Sequence, residues 1–365
     1  MSNYQSSKAL IREYYRELEN TTEETVGKVL ARYTSEDYQW FGVHPFNEQQ
    51  GSEAVAEIFW KPLLRSWSPL QRREDIFFAG HNDVYRHRDG KEESWPADID
   101  RQAHYEADGS VWVVSMGHFL GLLDHDWLGI PATRKMTFLR YADFNCVKQG
   151  KIFRSGFFCD IIAVMNQAGI HPLPPQTGAA FIYPGPRTHD GLLFEDQAPE
   201  EGVETLALLN RMVDDLNQLN LSGNDICPPE YLARTWHEDM IWYGPAGIGA
   251  TYSIPRYQEQ HQRPFRTGLA GKTFNGHVAR FAEGNYAGFF GWPNLSNTPT
   301  GGFLGLPASD VKADMRVVDI YRREGDKLAE NWVLIDLPWW LKQQGLDILE
   351  RTQKMVNPSV EDADD

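Results

Sequence analysis

The sequence predicts an α+β chain of two tandem cone-shaped α+β barrel domains, each a curved antiparallel sheet wrapped around N-terminal helices. Three observations carry this. First, Arg140–Gly169 recurs as Arg316–Gly345: Arg140, Asp143, Lys151 and Asp160 return as Arg316, Asp319, Lys327 and Asp336, each 176 residues on (316 − 140). A spacing held without a gap marks a duplicated structural unit. Second, Leu30–Gly42 (LARYTSEDYQWFG) is echoed by Leu232–Gly244 (LARTWHEDMIWYG), so the repeat takes in the first helices too. Third, helical periodicity opens each copy, and β-rich, turn-punctuated segments close it, the order of an α+β layer fold.

The elements follow in order. Ser6–Glu19 places Leu10, Tyr14, Tyr15 and Leu18 at helical spacing, and Thr22–Ala31 begins on a cap-like Thr-Glu-Glu. Gly51–Trp67 reads as a third helix with Ala54, Ile58, Phe59 and Leu63 inward. Strands are expected at Glu74–Ala79, Ser110–Met116, Met136–Val147 and Ile152–Cys159, and Gly117–Ala132 as a loop. Ile161–Gln167 is a short helix stopped by Gly169, and Val203–Leu219 opens the second copy. Domain limits fall at 1–172 and 201–357, with a Pro/Gly-rich linker at 173–200 and an acidic tail at 358–365. The linker holds Phe181, Ile182, Tyr183 and Phe194, so it is expected to pack across the domains. The first copy is longer, chiefly through the polar segment Tyr85–Tyr105, a place for functional asymmetry.

Composition narrows the function. A net charge of −16 disfavours nucleic acid and anionic membranes as partners. Three cysteines without a CxxC point away from disulfides and thiolate metal sites, and no run of 18 apolar residues appears; a cytoplasmic location is expected. There is no P-loop, no GxGxxG after a strand and no GxSxG, so no nucleotide cofactor is expected. His118 with Asp124, His125 and Asp126 fits no standard metal spacing, and no metal is expected.

Strand alternation puts Asp143 on one face with Tyr141 and Leu139, opposite Arg140 and Phe138. A carboxylate among apolar neighbours is either paired or has its pKa raised, so Asp143 and Asp319 read as a general base or as buried ion pairs. Asp160 and Asp336, at strand ends before helices, read as N-caps.

Each copy resembles the SnoaL-like polyketide cyclases of the nuclear transport factor 2-like superfamily. The resemblance rests on Gly129-Ile130-Pro131-Ala132-Thr133, Gly150-Lys151-Ile152, Asp160 and Gln167-Ala168-Gly169, and on Gly305-Leu306-Pro307-Ala308, Lys327-Leu328, Asp336 and Gln344-Gly345. It implies a conical pocket in which a carboxylate, often with a histidine, moves protons on a ketone-bearing substrate. The acid that the resemblance puts three places before the strand-end Asp is replaced by Phe157 and Val333.

The leading expectation is a cofactor-independent lyase or isomerase acting on a small carbonyl-bearing or polyketide-like metabolite. Asp143 is the expected base, with His81 or His44 as its partner and Trp40, Phe41, Tyr141, Phe157 and His118 around the substrate. Trp242, Tyr243, His277 and Asp319 are the corresponding set in the second copy. The alternative is a non-catalytic ligand-binding or scaffold protein. In either case the two domains are expected to pair as an internal pseudo-dimer, with a further homodimer left open.

Overall fold

The computed structural model describes residues 3–83, 111–221 and 228–357. The extra segment Tyr85–Tyr105 and the acidic tail lie outside the described residues. The first domain begins with helices Asn3–Glu19 and Val26–Tyr33, then β1 (Thr34–Gly42) and β2 (Asn47–Gln50). A continuous helix follows through Ser52–Val55, Ala56–Trp60 and Lys61–Ser66, its middle turn π-helical. Then come β3 (Trp67–His81), β4 (Val111–Leu123), β5 (Met136–Lys148), β6 (Lys151–Cys159) and a helix Ile161–Gln167.

The second domain repeats the plan. Helices Pro199–Leu221 and Pro229–Leu232 lead to β7 (Trp236–Tyr243) and β8 (Ala250–Tyr252). A second π-interrupted helix runs Ile254–Tyr257, Gln258–Gln262 and Arg263–Gly268. β9 (Ala270–Phe274), β10 (Ala279–Glu283), β11 (Tyr286–Thr298), β12 (Ala313–Glu324) and β13 (Lys327–Ile335) complete the sheet, and helices Leu337–Gln343 and Ile348–Val356 end the fold. β4 carries on through Leu123, well into the segment expected as a loop.

The sheets are mixed and open, which corrects two features of the expected architecture. Their orders are β2-β1-β6-β5-β4-β3 and β10-β11-β12-β13-β7-β8, with β9 on β11. β1 lies parallel to β6, and β7 parallel to β13; the other pairs are antiparallel. A parallel neighbour needs a long connection, and the helix plus four strands between β1 and β6 supply it. Neither sheet closes into a barrel.

The convex faces of the two sheets pack on each other through aromatic rings. Phe144 meets Phe281 and Phe290, Phe78 meets Phe281, and Phe158 meets Phe290 and Trp292. The linker then covers an edge strand of each sheet: Ala179 bridges Ala250 of β8, and Leu192 bridges Phe77 of β3. Open edges invite mispairing, and one strap protects both. A buried ion pair, Lys8 with Glu283, ties the first helix to β10 of the other domain; Glu283 also accepts from the amide of Ala79 at 2.8 Å. Among the described residues no helix is long and apolar enough to cross a membrane.

Candidate active site

In the C-terminal cone four residues stand in one row across neighbouring strands. Arg280 of β10 is opposite Phe289 of β11, Phe289 opposite Asp319 of β12, and Asp319 opposite Val333 of β13. Directly opposed residues share a face, so all four point into the cone. Asp319 is walled by protein yet keeps some accessible surface. Its Oδ1 accepts from the Tyr321 hydroxyl at 3.1 Å and from Asn331 Nδ2 at 3.3 Å, and no described residue donates to Oδ2. No lysine or arginine among the described residues forms a salt bridge with it. Burial therefore pushes its pKa up to about 6, opposed only by the two hydrogen bonds.

Arg280 faces this carboxylate across the Phe289 ring, its guanidinium carbon 6.0 Å from the ring centroid. Nη2 donates to Asn210 of the helix Pro199–Leu221, while the buried Nε–H has no acceptor among the described residues. Burial lowers the Arg280 pKa to about 10, which leaves it cationic at neutral pH. His277 stacks on the same Phe289 ring at 3.9 Å, and Trp236 and Phe289 flank Tyr321. The row thus sets the Phe289 ring between a carboxylate near neutrality and a buried cation.

The N-terminal cone is built differently. Asp143 accepts from the Tyr15 hydroxyl at 2.9 Å and lies 3.9 Å from Arg72 Nη1. Asp143 and Arg72 are both buried, and Arg72 is enclosed by the rings of Tyr15, Phe119 and Tyr141 at 3.7 to 4.7 Å. Burial raises the Asp143 pKa, and Arg72, Tyr15 and Asn145 oppose it. A hydrogen-bonded chain runs on from Tyr15 to Asn145, Ser155 and Tyr38. Trp40, Phe59, Phe119, Tyr141 and Phe157 fill the remaining space with stacked and tilted rings. This cone is an aromatic core around a paired carboxylate.

The other sequence candidates disperse. Phe41 and Tyr243 face away from the cones, since each follows an inward residue (Trp40, Trp242) on a strand; Phe41 packs on Trp292 and Tyr243 on Trp332. Trp242 points into its domain and stacks on His261 at 4.0 Å. His81 ends β3 against Tyr4, far along the strand from Asp143. His44 sits between the domains beside Trp339, where burial lowers its pKa to about 4. His118 is opposite Arg140 on the convex face of β4, 3.5 Å from Asp75. Among the described residues no group of three metal-ligating side chains gathers, around His118 or elsewhere. Asp160 and Asp336 cap their helices through Ala163 N and Trp339 N. Each also accepts an amide from the other domain, Ala246 N and His44 N, both at 2.9 Å.

Sequence reading missed Arg72 and Arg280. Each is an arginine in a strand of a chain rich in charged surface, and only the fold shows that both point inward. The alternation of Arg280 with Phe281, which packs on the facing sheet, was the one available signal.

No protein-family model matches the chain, and no curated protein does. Among solved structures it is similar to a candidate SnoaL-like polyketide cyclase from Jannaschia sp. CCS1, at 15% identity over 48% of this chain and 97% of that one, TM-score 0.31. TsrD from Streptomyces laurentii matches at 20% identity over 38% and 96%, TM-score 0.31. A nuclear transport factor 2-like protein from Burkholderia xenovorans LB400 matches at 10% identity over 39% and 96%, TM-score 0.31. Each of these matches covers less than half of this chain.

Proposed function

We propose that the C-terminal cone carries out acid–base chemistry, without a cofactor, on a small carbonyl-bearing molecule lying on Phe289. Asp319 takes a proton from the carbon next to the carbonyl. The C–H electron pair moves to the carbonyl oxygen, and the Arg280 Nε–H donates to the oxyanion that forms. Return of the proton to a different atom gives an isomerase, and loss of a β-substituent gives a lyase. A base poised near neutrality suits this step, and a preplaced cation stabilises charge only as it develops. β10 and β12 lie two strand spacings apart, about 10 Å, so the long arginine and short aspartate side chains converge on a molecule over the intervening ring. The carrying observation is Asp319: a deep, accessible carboxylate with a pKa of about 6 and no ion pair among the described residues. Asp143, held against Arg72, serves as structure in this reading.

The test is hydrogen–deuterium exchange at the α-carbon of a panel of ketones and β-diketones, followed by NMR in D2O. Wild type should accelerate exchange on at least one member. Asp319→Asn should lose about 100-fold or more of that acceleration, the usual worth of a general base, while Asp143→Asn keeps it. Acceleration that survives Asp319→Asn and disappears with Asp143→Asn would move the chemistry to the first domain.

A further inference from the structure

The duplication leaves a cavity outside both cones. About 350 Å³ opens on the convex side of the first sheet, lined by His118, Phe138, Arg140 and Ala163, by Phe181 and Tyr183 of the linker, and by neighbouring polar residues. Its floor is Arg140, buried, with Nη1 on the carbonyl of Tyr243 and Nη2 on that of Val333.

The pseudo-symmetric place in the second copy shows what such a space takes. Arg316, the counterpart of Arg140, is covered by two rings: Trp292 at 4.0 Å and Trp339 at 4.6 Å. Trp339 corresponds to Ala163, 176 residues earlier. Trp292 opens a bulge, Trp292-Pro293-Asn294, that occupies the strand position His118 holds opposite Arg140. Arg140 therefore has one described ring, Tyr183 at 4.8 Å, where Arg316 has two, and the first copy keeps a cavity where the second has an indole pair. Phe181 and Ile182, each more than two-fifths exposed, add an apolar rim.

We infer that this inter-domain cavity is a binding site for a flat aromatic molecule of one or two fused rings, which stacks on Arg140 as the tryptophans stack on Arg316. A pocket of this size, mostly apolar with a few polar groups, suits such a ligand, and a desolvated guanidinium attracts a π face. The site is independent of Asp319 and of the reaction proposed for the C-terminal cone.

The experiment titrates the full chain with 2-naphthol, followed by its fluorescence, and with decahydro-2-naphthol, of similar size but without a π face, by calorimetry. Wild type should bind 2-naphthol saturably at one site per chain, and decahydro-2-naphthol at least fivefold more weakly. Ala163→Trp, which rebuilds the second copy's filling, should weaken 2-naphthol binding tenfold or more, and Asp319→Asn should leave it unchanged. Should Ala163→Trp fail to fold, His118→Trp fills the same space from the other wall and carries the same expectation. Three results overturn the inference: no saturable binding to wild type, unchanged affinity in the folded tryptophan variant, or equal affinity for the two alcohols.

Discussion

At the residue scale, Asp143 and Asp319 show how one duplicated position comes to stand in two environments. Both are mid-strand carboxylates walled by protein, and desolvation raises both. Arg72 beside Asp143 decides the difference, because a charge held by a partner is not free to work as a base. Removing one member of such a pair leaves the other buried and uncompensated, so Arg72→Met should cost about 3–5 kcal/mol in urea unfolding at pH 7. Asp319 should behave in the opposite sense. Its folded pKa, about 6, lies above the ordinary 3.8. A carboxyl raised on folding contributes stability that is fully present below pH 4 and lost as pH rises through 6. Asp319→Asn, always neutral, should therefore be more stable than wild type at pH 8, by up to about 3 kcal/mol, and equal to it at about pH 3. Equal stabilities at both pH values would show that the carboxylate is not strained by burial.

At the scale of elements, the strands carry most of what the sequence could show. The period of two separates Asp143 and Tyr141 from Arg140 and Phe138, and the register confirms the two faces. Repeated residues found the duplication, and a terminal aspartate before an apolar run marked both N-caps. Partners far apart in the chain stayed hidden, since nothing local tells Arg72 to pair with Asp143 or Glu283 with Lys8. The parallel pairs β1–β6 and β7–β13 were hidden for the same reason. Phe41 and Tyr243 were placed in pockets by their chemistry, although alternation puts them on the other face from Trp40 and Trp242. The packed convex faces set a sharp requirement at Gly156, where an added Cβ would stand 2.6 Å from the Phe290 ring. Gly156→Ala should destabilise the protein by about 1–3 kcal/mol in thermal or urea unfolding, as overpacking does, while Asp319 keeps its raised pKa. A neutral substitution would mean that the aromatic seam yields easily.

At the scale of the molecule, the chain is two domains of one plan that contact each other. Reciprocal contacts hold it: each strand-end aspartate accepts the amide of the other domain's loop, at Ala246 and His44. The two copies then differ in how each cone is filled. One cone is filled by stacked rings around an ion pair, and in the other Asp319 forms no ion pair among the described residues. On the convex side the copies differ again, with tryptophans filling the second copy's space and a cavity left in the first. The central claim is that the Asp319 carboxylate of the C-terminal cone titrates near neutrality. Carboxyl carbon NMR of aspartate-labelled protein, with the Asp319 signal assigned by its loss in Asp319→Asn, measures this directly. The account predicts a midpoint about two pH units above that of an ordinary aspartate, near pH 6. A midpoint at or below 4 would contradict it and leave the cone without a base.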